Sequence, residues 1–289
     1  MVISNNTTTL EKLVLEPIIF LDLFSFPPTA WEVWQYLNER LPFLKVESVL
    51  SFWVSQKVIS EKQGFYFLSG KDDLISIRKH RYNYSANKLK KARFFAKLFT
   101  FFPGVLAVSA ANFIGSHNWR QNSDIDLFII TKKGYLWRSR LFCAGLAKIL
   151  FSRPTKKNKK DKICLSFYVS ENALNLKNLE LVGGDPYFKY WRQGLLPLYV
   201  KGNIWKKFLQ ANQGEENKEG VKYIKKNFLE NLAKKIQLRI MSPQLKKEIN
   251  KSEGVVINDD VLKLYLTERR REFLDNFNLK RYEIFKTIN

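Results

Sequence analysis

The sequence predicts an α+β protein, with helices at both ends and a small sheet flanked by helices between them. Three observations predict it. Apolar residues recur at helical spacing over residues 8–24 and again in the last third of the chain. Short apolar runs of strand length, Val105–Val108, Ile125–Thr131 and Ile163–Val169, occupy the middle. With 289 residues, 45% hydrophobic and 15% aromatic, the chain has ample material for a buried core.

The elements follow in order. Leu10, Leu13, Val14, Ile18 and Leu21 define a first helix, which Phe26-Pro27-Pro28 ends because proline cannot continue the hydrogen-bond ladder. Thr29 with Glu32 three residues on forms a capping-box pattern and opens a second helix to about Arg40. A third helix is expected from Lys45 to Lys57. Val58-Ile59, the polar tip Ser60–Gly64 and Phe65–Leu68 then read as a hairpin. Residues 71–100 read as a long basic helix, with Ile75, Tyr82, Leu89, Phe95 and Leu98 among its apolar positions and Pro103-Gly104 beyond its end. Tyr135–Phe151 reads as a helix between the second and third strands, and Arg153–Lys162 as a Lys-rich loop. Further on, Asp185–Leu195, Ile204–Gln210, Val221–Met241 and Val261–Phe277 read as helices, the last with Glu268–Glu272 on its exposed side. Val255–Asn258 is too short to classify.

Composition narrows the function classes. Two cysteines, Cys143 and Cys164, exclude a disulfide scaffold and a four-thiolate zinc site. His80 and His117 are the only imidazoles, which excludes a multi-His metal site. Cys143 and Cys164 read as small buried hydrophobes. Met1–Leu10 carries no secretory pattern, and no window reaches the ~20 clean apolar residues of a membrane span. The expected location is the cytoplasm.

The net charge of +22 is unevenly placed. Residues 1–70 balance to −2, 71–100 to +7, 101–131 to −1 and 132–162 to +10. Two basic blocks therefore flank a nearly uncharged segment that contains Asp124 and Asp126. Such flanks suit a polyanion, either nucleic acid or a nucleoside triphosphate. They also fit the Lys-rich usage of an AT-rich genome. Three helices and a hairpin in residues 1–70 resemble a winged-helix domain. Its net acidity and the scarcity of charge on Lys45–Lys57 favour packing or a protein partner over DNA, since phosphate neutralisation needs Lys and Arg.

The most informative stretch is Val108–Ile130. Strand alternation puts Asp124 and Asp126 on one face and Ile125 and Leu127 on the other. Paired carboxylates on a rigid strand repel one another and are costly to bury, but they make a platform for Mg²⁺, an oxygen-seeking cation. Small residues at the preceding strand end, Ser109, Ala110 and Ala111, allow backbone N–H groups to approach a phosphate closely. Strand, small-residue turn, a spacer of residues 112–123, then Ser123-Asp124-Ile125-Asp126-Leu127 resembles the nucleotidyltransferase superfamily. Ala110-Ala111 stand at its Gly-Ser position and Gly115 at a glycine that commonly follows. The resemblance covers about residues 100–170.

It implies a nucleotidyltransferase-like core at 71–170 built on a small mixed sheet, between a winged-helix-like domain at 1–70 and a mainly helical region at 171–289. It also implies transfer of a nucleoside monophosphate from an NTP to a hydroxyl on RNA, protein or a small molecule. Asp124 and Asp126 would be the catalytic metal ligands for Mg²⁺ or Mn²⁺, with two ions if a third acid exists. Ser109, Ala110, Ala111, Asn112, Gly115, Ser123 and Lys132 would be the substrate-binding positions. His117 is a candidate phosphate contact. Trp119 and Arg120 are candidates for base stacking or for anchoring the loop.

Two departures from the family pattern bear on catalysis. Alanines replace Gly-Ser, and Ile163–Val169, where the third acid is expected, holds no carboxylate. Asp161, Glu171 and Ser166 remain candidates for that place. The alternative is a non-catalytic nucleotide- or nucleic-acid-binding protein, or an antitoxin-like regulator.

Overall fold

The computed structural model describes residues 9–37, 39, 41–111, 118–213 and 228–288. Among them it is an α+β protein with ten α-helices, a six-stranded mixed sheet and a two-stranded sheet. None of the described helices is long and apolar enough to cross a membrane. The chain divides into two compact units, both discontinuous in sequence.

The first unit gathers Met1–Asn83, Gly184–Gln193 and Arg269–Asn289. It contains α1 (Thr9–Asp22), α2 (Ala30–Tyr36), α3 (Phe43–Ser55), the hairpin β1 (Ile59–Lys62) and β2 (Phe65–Leu68) and, from further along the chain, α6 (Pro186–Gln193). The helical spacing in α1 buries Val14, Leu15, Ile18, Ile19, Phe20 and Leu21. Thr29 caps α2 through the reciprocal box: its hydroxyl accepts from Glu32 N, and its own N–H donates to Glu32. The hairpin turns on Gln63 and Gly64, both at positive φ (59° and 78°), the conformation a two-residue primed turn requires. The long α4 (Leu74–Phe99) opens in this unit, where Arg78 lies over the Phe26 ring and pairs with Glu32.

The second unit comprises Tyr84–Gly183 and Gly194–Glu268. Its sheet consists of β3 (Val105–Ala110), β4 (Ile125–Thr131), β5 (Ile163–Ser170), β6 (Leu196–Val200), β7 (Val255–Ile257) and β8 (Val261–Leu264) in the order β6-β3-β4-β5-β8-β7. Only β4 and β5 run parallel, joined through α5 (Leu136–Ile149); the other neighbours are antiparallel. A parallel pair needs such a crossover, and a helix is the usual solution. One sheet face carries Val108, Ala110, Ile125, Leu127, Ile129, Ile163, Leu165 and Tyr168. These join Phe95 and Phe99 of α4 and Trp137 and Cys143 of α5 in the main core. The opposite face carries Asp126, Phe128 and Phe167, with Phe208 of α7 (Ile204–Asn212) against Phe128. The α8 helix (Phe228–Ile240) packs on α5 and is followed by the short α9 (Pro243–Lys247). The expected helix start at Val221–Asn227 lies outside the described residues.

The structure corrects the tail. The stretch from Val261 to Phe277 is not one helix. Val261–Leu264 is strand β8, hydrogen-bonded on both sides between β5 and β7. Asn258 Oδ1 accepts from the N–H groups of Asp260 and Val261, which turns the chain into that strand. Helix α10 runs Arg270–Ile288 instead. A four-residue strand between two others is defined by its neighbours, so helical periodicity counted across it is fortuitous. Arg270 is correspondingly not on an exposed face: it is buried and paired with Asp185 in the first unit. Strand β6 lies at a sheet edge, which accommodates Pro197 without costing a ladder hydrogen bond in the sheet interior.

Candidate functional site

Three ligand-bearing side chains converge at the start of β4 and β5. The ligand atoms of Asp124, Asp126 and Cys164 all lie within 4.8 Å of one another. Parallel pairing sets this up, because Asp126 is the register partner of Cys164 and their side chains leave the same face. The register then shifts by one residue, so that β5 fits an extra residue between Cys164 and Phe167. The shift keeps Cys164 beside Asp126 and also returns Tyr168 to the core face, where it meets Leu262 of β8.

Hydrogen bonds link the cluster in a chain. The Ser166 hydroxyl lies within hydrogen-bonding distance of Cys164 Sγ, at 3.0 Å, where either atom can donate, and Cys164 also hydrogen-bonds Asp126. Burial, and then the neighbouring Asp124 carboxylate, push the Asp126 pKa up to about 7. Burial also raises the Cys164 thiol well above its ordinary range, with the Asp126 and Asp124 charges adding to it. Both shifts have the same origin: negative charge gathered where water is scarce.

The other expected positions divide. Ser109 is buried on β3 opposite Phe128, so its side chain leaves the face that carries Asp126, and its Oγ has no hydrogen-bond partner among the described residues. Ala111 N–H donates to the Asp126 carbonyl at 3.0 Å, which ties the end of β3 to the acidic strand. Ala110 points into the main core. Neither alanine has positive φ, so replacing Gly-Ser here introduces no backbone strain. The Ser123 hydroxyl donates to the Arg120 carbonyl, closing the turn before Asp124. Lys132 sits beyond the opposite end of β4, six residues from Asp126 and hence about 20 Å along the strand. Its N–H bonds Gly104 and its ammonium lies over the Tyr135 ring. Asn112, Gly115 and His117 lie outside the described residues. Trp119 is buried in the main core, its backbone N–H donating to Ser85 Oγ, so it anchors the loop rather than offering a stacking face.

The candidates for a third acid are engaged elsewhere. Asp161 pairs with Lys88 at 2.6 Å, and Glu171, at the far end of β5, accepts from Lys133 N–H. Ser166 stands behind Cys164 rather than in its place. The position beside Asp126 belongs to Cys164, which the sequence reading treats as a buried hydrophobe. Alternation along β5 separates Cys164 from Ile163 and Leu165, but only the parallel register with β4 brings it to Asp126.

A basic frame surrounds the entry to this strand. Lys88 of α4 is buried and donates to Asp161 and to the Ser123 carbonyl, both at 2.6 Å. Two backbone bonds fasten the Lys-rich loop to the same segment: Asp161 N–H to Ser123 O and Ile125 N–H to Lys162 O. The Lys91 pKa is lowered, first by burial and then by Lys162, with Lys88 adding and Asp161 opposing. Lys156, Lys157, Lys159 and Lys160 of the loop are exposed.

Comparison of the chain with known protein families, with curated proteins and with solved structures finds no match. The chain is an α+β protein with a two-carboxylate, one-thiol cluster at the start of a parallel strand pair, framed by lysines.

Proposed function

We propose that the chain is a divalent-cation-dependent nucleotidyltransferase, moving a nucleoside monophosphate from an NTP to a hydroxyl of RNA, protein or a small molecule. The observation that carries the reading is the convergence of Asp124 and Asp126 beside β3 and β5, with lysines on the same segment. In it, Asp124 and Asp126 hold a cation such as Mg²⁺ or Mn²⁺. Bound there with the triphosphate, such an ion neutralises charge that develops on the phosphoryl oxygens. Lys91, Lys162 and the exposed loop lysines attract the triphosphate. The donor set fits one cation through two carboxylates. It does not fit a second magnesium, because the neighbouring strand offers a thiol where a carboxylate would be needed.

The remaining regions take supporting parts in this reading. Residues 1–70 form a winged-helix-like domain that meets a protein partner, residues 71–170 the nucleotidyltransferase-like core, and residues 171–289 a mainly helical region. The protein works in the cytoplasm. Incubation with α-labelled NTPs, a divalent cation and candidate acceptors tests the activity. Label should move to an acceptor, and Asp124→Asn or Asp126→Asn should abolish the transfer; undiminished transfer by both variants refutes the assignment. The absent third carboxylate favours a second reading, a nucleotide- or RNA-binding regulator of antitoxin-like type. That reading predicts binding which survives both substitutions and falls steeply with salt.

A further inference from the structure

The third donor decides which cation the site prefers. Two carboxylates alone would suit a hard ion. Here a thiol sulfur stands with them, all three ligand atoms within 4.8 Å. Magnesium requires oxygen ligands in near-octahedral array, whereas thiolate selects softer ions such as Zn²⁺ and Co²⁺. Three protein donors and one open position is also the ligand count of a catalytic zinc site, whose fourth place holds water or substrate. A second and independent observation points the same way. The Ser109 Oγ has no hydrogen-bond partner among the described residues, although the residue is 1% exposed. It leaves the sheet on the face of Asp126 and Cys164, one diagonal step from Asp126 across the β3–β4 pair. A buried hydroxyl without a partner is destabilising, and a water or ligand held at the site removes that cost.

We infer that Asp124, Asp126 and Cys164 form a binding site for a single thiophilic divalent cation of the Zn²⁺ or Co²⁺ type, with the Ser109 hydroxyl bonding the water in its open position. This deepens the proposed reading of the site and rests on its premise that a divalent cation binds there. Binding converts Cys164 S–H to a metal–sulfur bond and releases the proton to solvent. Ser166, which hydrogen-bonds Cys164 Sγ, orients the sulfur from behind.

The test titrates the full-length, metal-free protein with Co²⁺, Zn²⁺ and Mg²⁺. Sulfur-to-cobalt charge transfer in the near ultraviolet reports thiolate ligation directly. The wild type should develop that band at one equivalent, and Zn²⁺ should displace the cobalt. Zn²⁺ should bind about a hundredfold or more tighter than Mg²⁺. Cys164→Ser should lose the band. Cys164→Asp should lose it too while narrowing the preference over Mg²⁺. Ser109→Ala should keep the band with affinity about tenfold lower. Cys143→Ala removes the only other thiol and should keep it, which controls for adventitious sulfur. Circular dichroism of each variant separates loss of the site from loss of the fold. A folded wild type that shows no band, or a band that persists in Cys164→Ser, overturns the inference. The outcomes also separate it from the proposed activity. Label transfer with Mg²⁺ but no cobalt–sulfur band overturns the cation assignment and leaves the transferase. A cobalt–sulfur band without label transfer under any cation does the reverse.

Discussion

Replacing Lys88 by Met tests how the acidic strand is held in place. The Lys88 side chain is 2% exposed, and its ammonium makes two 2.6 Å bonds, to Asp161 Oδ1 and to the Ser123 carbonyl. Methionine preserves most of the volume and removes the charge and both bonds. Stripping one partner from a fully buried pair costs about 3–5 kcal/mol. The Asp161 side chain, however, is 42% exposed and regains water, and the Ser123 carbonyl keeps its bond from Asp161 N–H. Solvent screening therefore brings the expected loss down to about 2 kcal/mol. For a chain of this size that corresponds to a fall in Tm of about 3 °C. Because Ser123 directly precedes Asp124, the loosened turn should also weaken cation binding at Asp124 and Asp126, by about tenfold as for other supporting contacts. The assays are thermal melting and cation titration on the same samples, with Asp161→Asn and the double variant completing a cycle. Coupling near zero in the cycle, or a Tm and an affinity both unchanged in Lys88→Met, would rule out this role for Lys88.

Other predictions follow from single features. Asp126 ionises near 7 in the folded protein against 3.8 in its ordinary state, so between these values the folded state binds the extra proton and stability falls as pH rises. Without added metal, Asp126→Asn should therefore melt higher than wild type at pH 8 but not at pH 3.5; equal melts at pH 8 would contradict the burial and charge crowding described. Asp185 and Arg270 form a pair whose side chains are 1% and 3% exposed, so Asp185→Ala should cost about 3–5 kcal/mol in denaturant unfolding. Gly254→Ala would place a Cβ 2.2 Å from the Tyr265 carbonyl oxygen, so it should destabilise the β7–β8 edge by about 1–3 kcal/mol and speed hydrogen exchange there.

Legibility tracked the range of the interactions involved. The capping box at Thr29, the helical stripe of α1 and the strands Ile125–Thr131 and Ile163–Ser170 are written locally, in spacings of two to four residues, and they can be read without the fold. Strand β8 could not be read this way, because Val261–Leu264 becomes a strand only between β5 and β7. The same holds at the site. Asp124 and Asp126 announce themselves by alternation on one strand. Cys164 joins them through a parallel register and a bulge that no local pattern encodes. Lys88 is a further case: one lysine among nine Lys and Arg in residues 71–100, it is distinguished only by the Asp161 and Ser123 groups brought to it from far along the chain. Trp119 also took its role from tertiary packing, since an aromatic in a polar loop reads equally as a stacking platform or as an anchor.

The most direct test of the central claim is a crystal structure of the protein with Mn²⁺ and a non-hydrolysable NTP, with the ion located by its anomalous scattering. An anomalous peak bonded to Asp124 and Asp126 beside Cys164 is expected, with the triphosphate running from it toward Lys91 and Lys162. An ion and nucleotide bound elsewhere, with the Asp124–Asp126–Cys164 cluster empty at saturating concentrations of both, would contradict it.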